Sequence, residues 1–137
     1  MQAVQPQSIQ AVRPQIIYID AYPRNHHEIS TLFASKLSEC ETTCFRNIDS
    51  AVRREEHVKQ HQVVIYGADL GDGPGVLAMV GLTLRNRFHV AKTILFVSYD
   101  PRADKMNFDH VVGQSDFDAL TNTVAKLLPK QAAEQTA

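Results

Sequence analysis

The chain has 137 residues, 44% of them hydrophobic and 21% charged, enough to bury one core and too few to suggest two. A formal charge of -1 provides no basic field for a polyanion, which excludes nucleic acid and anionic membrane surfaces as expected partners. No apolar run reaches the roughly 18 to 20 residues of a bilayer span and no basic-then-apolar leader opens the chain, so a cytoplasmic domain is expected.

Residues 1–15, "MQAVQPQSIQAVRPQ", are rich in Gln and carry Pro6 and Pro14 with little periodic apolar content. Such a segment cannot offset its ordering entropy by burial and reads as a flexible arm. Residues 130–137 have the same character, a tail or the start of a linker, which leaves 16–129 as the domain.

"IIYID" at 16–20 is a β-branched and aromatic run that breaks at "AYPRN", as a buried strand does. From about residue 24 to 40, Ile29, Leu32, Phe33 and Leu37 recur at helical spacing and form one apolar stripe. "TTCFRNI" is a weaker strand candidate, and "SAVRREEHVKQ" a polar helix with Glu55 and Lys59 at i,i+4. "VVIY" at 63–66 is the next buried strand. A glycine-rich loop follows, then a helix over 75–87 whose Val76, Leu77, Val80 and Leu84 turn inward. "TILFVS" at 93–98 and "HVV" at 110–112 are further strands. Ser115, with Asp118 three residues on, is placed to cap a last helix in a capping-box pattern, with Phe117, Leu120, Val124, Leu127 and Leu128 buried.

Near-continuous apolar strands alternating with one-faced helices predict a doubly wound α/β fold: a five-stranded parallel sheet covered on both sides. In such sheets chemistry sits beyond the carboxyl ends of the strands, where the winding reverses. That directs attention to residues 20–25, 67–75 and 98–104, and to the loop after Val112.

Read in order, these segments resemble the receiver domains of bacterial two-component response regulators, with a flavodoxin-like or CheY-like sheet. "IIYIDAYPRNHHEISTLFASKL" resembles the first strand, acidic loop and first helix. "VVIYGADLGDGPGVLAMVGLTLR" resembles the phosphoacceptor strand, its loop and third helix, anchored by Gly75. "TILFVSYD" resembles the fourth strand, and "HVVGQSDFDALTNTVAKLL" the fifth strand and last helix. The resemblance implies a phosphoacceptor aspartate, two acids that hold Mg²⁺, a switch Ser or Thr, and a Lys-Pro pair. The acidic pair falls on Asp20 and Ala21, the acceptor on Gly67, the switch hydroxyl on Ser98, and the Lys-Pro pair on Gly113 and Gln114. A glycine accepts no phosphoryl group, and the cationic partner is missing as well. A two-residue slip would make Asp69 the acceptor without restoring the lysine.

Between Ser98 and Val111 stands only "YDPRADKMNFDH", fewer residues than a receiver spends on its fourth helix, and rich in turn formers. The fourth helix is expected to be shortened or missing. Tyr99, Asp100, Pro101, Arg102, Met106 and Phe108 are then interaction candidates. The resemblance implies a degenerate, non-enzymatic pseudo-receiver needing no cofactor, which regulates a protein partner or pairs with a second copy. The partner classes are a signalling enzyme, a kinase, a transcription activator or an assembly ATPase.

Other readings are weaker. "GADLGDGPG" lacks the Lys-Ser/Thr ending of a P-loop, and its Asp69 and Asp72 repel anions. Cys40 and Cys44 lack the partners of a zinc or redox motif and read as free thiols. Of the six histidines, His26 and His27 point apart on a helix, and His57 and His61 lack a third ligand, so surface positions are expected. Asp20 and Asp69 make a poor divalent-ion site. A small-ligand or metal-assisted enzyme using Asp20, Asp69 and Ser98 is the alternative outside signalling.

Overall fold

The computed structural model describes residues 13–55, 61–68, 72–88, 91–98 and 107–128. Strand β1 (Gln15–Ile19) leads through helix α1 (Pro23–Lys36) to β2 (Glu41–Phe45) and α2 (Ile48–Glu55), then to β3 (His61–Gly67) and α3 (Pro74–Arg87). β4 (Lys92–Val97), β5 (His110–Gly113) and α4 (Phe117–Leu127) complete the order. All strand pairs are parallel, in the order β2-β1-β3-β4-β5. The predicted five-stranded, doubly wound sheet is therefore the observed one, with four helices among the described residues. No α-helix occurs among the described residues between β4 and β5. Residues 99–106 lie outside them, and with them Tyr99, Asp100, Pro101, Arg102 and Met106.

Strand alternation divides the core in two. Ile16, Tyr18, Val63, Ile65, Ile94 and Phe96 face α1 and α4, where Ile29, Phe33, Leu120 and Val124 meet them. Ile17, Ile19, Val64, Leu95 and Val97 face the other way, against Ala51 of α2 and Leu77, Leu84 and Phe88 of the α3 region. Burying one such side chain is worth roughly 1.5–3 kcal/mol, more than the ~1 kcal/mol helix-propensity cost of a glycine. That is why α3 holds as a helix despite Gly75 and Gly81.

The structure corrects several local expectations. β1 starts at Gln15, inside the stretch read as an arm, and Arg13 donates to the carbonyls of Ser38 (3.0 Å) and Cys40 (2.9 Å). α1 ends at Lys36, so Cys40 lies in the connection beyond it and Cys44 on β2; both are free thiols. Burial pushes both thiols above the ordinary cysteine value. Val76 points outward, 50% exposed, with Met79 and Leu82, because Leu77 and Leu84 already claim the inner face of α3. Asp116, not Ser115, caps α4: its Oδ1 accepts from the amide of Ala119 at 2.9 Å. Phe117, expected inside, is 38% exposed and meets Phe96 edge-on at 5.8 Å.

Phe108 also departs from its reading as an interaction residue. It is 2% exposed, in the α2/α3 core, with its ring 6.4 Å from that of Tyr66. The residue before it, Asn107, takes a left-handed conformation (φ 71°) and donates to the carbonyl of Ala78 at 2.9 Å. Asparagine tolerates that conformation better than most side chains, and the turn drives Phe108 inward.

Candidate functional site: a filled space beside Gly67 at the switch point

The chain winds from β1 to β2 in one direction and through β3, β4 and β5 in the other, so the reversal falls between β1 and β3. Ile19 pairs with Tyr66 in that register, which brings Asp20 and Gly67 side by side just beyond it. Gly67 in turn pairs with Phe96, and Val97 with Gly113. Parity puts Tyr18, Ile65, Gly67 and Phe96 on the α1/α4 face. A side chain at Gly67 would thus point at Tyr18 and Asp20.

That room is occupied. A β-carbon on Gly67 would collide with Asp20 Oδ2, and would stand 2.8 Å from Tyr18 Oη and 3.1 Å from Asp20 Cγ. The described glycines have no positive φ, so Gly67 is required here for space and not for backbone conformation.

Asp20 is 3% exposed and surrounded by donors from its own neighbourhood. Tyr18 Oη donates to its Oδ2 at 2.6 Å and Asn25 Nδ2 to the same oxygen at 3.0 Å, while the Tyr22 amide donates to Oδ1 at 2.9 Å. His26 Nε2 donates to the Asp20 carbonyl at 2.7 Å, its ring edge-on to that of Tyr18 at 6.1 Å. The reading of His26 as a surface histidine is corrected: it helps to hold this turn. Burial, then the hydrogen bond to Asp20, pushes the Tyr18 hydroxyl far above the ordinary tyrosine value, so it stays a donor.

Opposite, Gln114 directly follows β5. Its Nε2 donates to the carbonyls of Ala68 (3.0 Å) and Phe96 (2.8 Å), and its amide donates to that of Val97 at 2.8 Å. One neutral side chain thereby ties the ends of β3, β4 and β5 together. Gly113 is exposed, and a β-carbon there would meet nothing within 4 Å. Ser98 and Ala21 are exposed as well.

Of the predicted site positions, then, the fold brings Asp20 and Gly67 into contact. Ala21, Ser98 and Gly113 make no polar side-chain contact among the described residues, and Asp69 lies outside them. No group of three or more His, Cys, Asp or Glu that could hold a metal ion occurs among the described residues. Tyr18 and Asn25 are named by no sequence expectation, His26 enters only as a surface histidine, and Gln114 only where the resemblance puts the second residue of the Lys-Pro pair. For Tyr18 the sequence signal is alternation, which sets it on the same face as Gly67.

No protein-family model matches the chain, and no curated protein matches it in sequence. Solved structures do resemble it. The response regulator TrrA, solved in complex with the histidine kinase ThkA, superposes with a TM-score of 0.66 at 22% identity, over 85% of this chain and 99% of that one. A receiver protein from Pseudomonas putida gives 0.65 at 15% identity, over 84% and 98% of the two chains. The receiver domain of an HD-domain protein from Pseudomonas fluorescens gives 0.62 at 18%, over 89% and 99%. With the space beside Gly67 filled by Asp20 and Tyr18, the chain has the fold of the response-regulator receiver domains.

Proposed function

We propose that the chain is a phosphorylation-independent receiver-like module, non-enzymatic, that signals by contact with a protein partner. One observation carries this reading. At the end of β3 the Tyr18–Asp20 pair fills the space that a side chain at Gly67 would need, and the resemblance to receivers puts the phosphoacceptor at that position.

Two features add to it. A carboxylate that receives Tyr18, Asn25 and Tyr22 as donors has little left to offer a divalent ion, which needs six or more oxygen ligands. Gln114 supplies from within the chain a neutral tie between β3, β4 and β5, where a phosphorylated receiver relies on charge. The site is thereby held in one arrangement without a phosphoryl group, and output depends on which surfaces are presented. TrrA, similar in fold, was solved bound to a histidine kinase; a protein partner for this chain follows by analogy.

The test is incubation of the full chain with acetyl phosphate and Mg²⁺, and separately with beryllofluoride, read by intact mass and amide NMR. No mass increase and no shifts at Asp20, Gly67 or Ala68 are expected. Stoichiometric phosphorylation, or beryllofluoride shifts centred on Asp69, would overturn the reading in favour of a working acceptor there.

A further inference from the structure

Between α1 and α4 an open groove of about 420 Å³ is walled by His27, Glu28, Thr31, Leu32 and Phe117, and it presents almost only carbon. It shares Glu28 and Phe117 with an inner chamber of about 170 Å³, whose other walls include Tyr18, Asn25, Phe96 and Gln114.

The chemistry of the chamber is one-sided. Asn25 directs its amide nitrogen at the Asp20 carboxylate, and Gln114 directs its own at two carbonyls. Those partners only accept, which fixes both amide orientations. Asn25 Oδ1 and Gln114 Oε1 are left with no hydrogen-bond partner among the described residues. Glu28, at the junction, adds a carboxylate with no ion pair among them. Phe96 and Phe117 add ring faces, and among the described residues no lysine or arginine lines either space.

Acceptors, one carboxylate and aromatic faces repel an anion and are too few in charge for a divalent metal. They suit a cation that brings many donors. We propose that this chamber binds the guanidinium of an arginine on a partner polypeptide, with an adjacent aliphatic side chain lying in the groove against Leu32 and Phe117. A guanidinium has five N–H donors in one plane, is weakly hydrated and stacks on rings, which an ammonium does less well. The inference rests on the reading of the chain as a protein-contact module and names the chemistry of what it contacts.

The test titrates the full ¹⁵N-labelled chain with acetyl-Leu-Arg-amide, and with the citrulline analogue, which keeps shape and loses charge. Saturable shifts of the Asn25 and Gln114 side-chain amides are expected, with a Kd on the order of 1 mM for so small a probe. The citrulline peptide should bind about tenfold more weakly, since it loses the charge-assisted bonds. Glu28→Gln, an exposed helix position, should weaken the arginine peptide severalfold while leaving the backbone spectrum intact. Equal binding of the two peptides, no saturable shift, or shifts elsewhere would overturn the inference. If the peptide fails and beryllofluoride also leaves the chain unmodified, only the inference falls. If beryllofluoride modifies the chain, the functional reading falls whatever the peptide does.

Discussion

Gly67→Ala places one methyl group at the end of β3, in the space taken by Asp20 and Tyr18. The new carbon would collide with Asp20 Oδ2 and stand 2.8 Å from the Tyr18 hydroxyl. Neither group can yield freely: Asp20 is held by three donors, and Tyr18 is 1% exposed in the α1/α4 core. Overpacking of this kind costs about 1–3 kcal/mol, and a displaced buried hydrogen bond costs about 1–3 kcal/mol more. Because the two overlap, a net loss of about 2–4 kcal/mol is expected, read as a lower urea midpoint at unchanged slope. A cycle with Tyr18→Phe isolates the hydroxyl: in that background the alanine should cost about 1 kcal/mol less, since one of the two obstructing groups is gone. A Gly67→Ala protein within about 0.5 kcal/mol of the parent would refute the claim that this space is filled.

Tyr18 carries a pH prediction. Its folded-state pKa is raised above the ordinary value of 10.0, so above about pH 10 the unfolded chain loses a proton that the native chain keeps, and stability falls as pH rises from there. Of the four tyrosines, Tyr18 should titrate only on unfolding; phenolate absorbance of the parent against Tyr18→Phe reads it directly. At the start of α4, Asp116→Ala should cost about 1 kcal/mol of stability, as the loss of a capping side chain does. Ser115→Ala should stay within about 0.5 kcal/mol in the same denaturant assay, because Ser115 makes no capping bond.

The elements were legible because their signals are local. Ile16, Ile17 and Ile19, then Val63, Val64 and Ile65, are apolar without interruption because both faces of a central parallel strand are covered. Errors occurred where two local candidates competed. Ser115 and Asp116 are both good caps, and the backbone geometry of the α4 start chose the aspartate. Val76 and Leu77 are both apolar at the start of α3, and only the direction in which the helix meets β3 and β4 put Leu77 inside. Phe108 follows a polar stretch, and nothing local announces that Asn107 turns it into the core.

By itself the sequence determined the order of strands and helices, the parallel sheet, and the glycine at the end of β3, since periodicity and residue type act over a few neighbours. What became of the space beside that glycine was decided by tertiary structure alone. Tyr18 reaches it from another strand, and Gln114 binds the Ala68 carbonyl across a separation of 46 residues. Such contacts depend on strand register and on which side chain fits the remaining volume, and pattern along the chain carries neither.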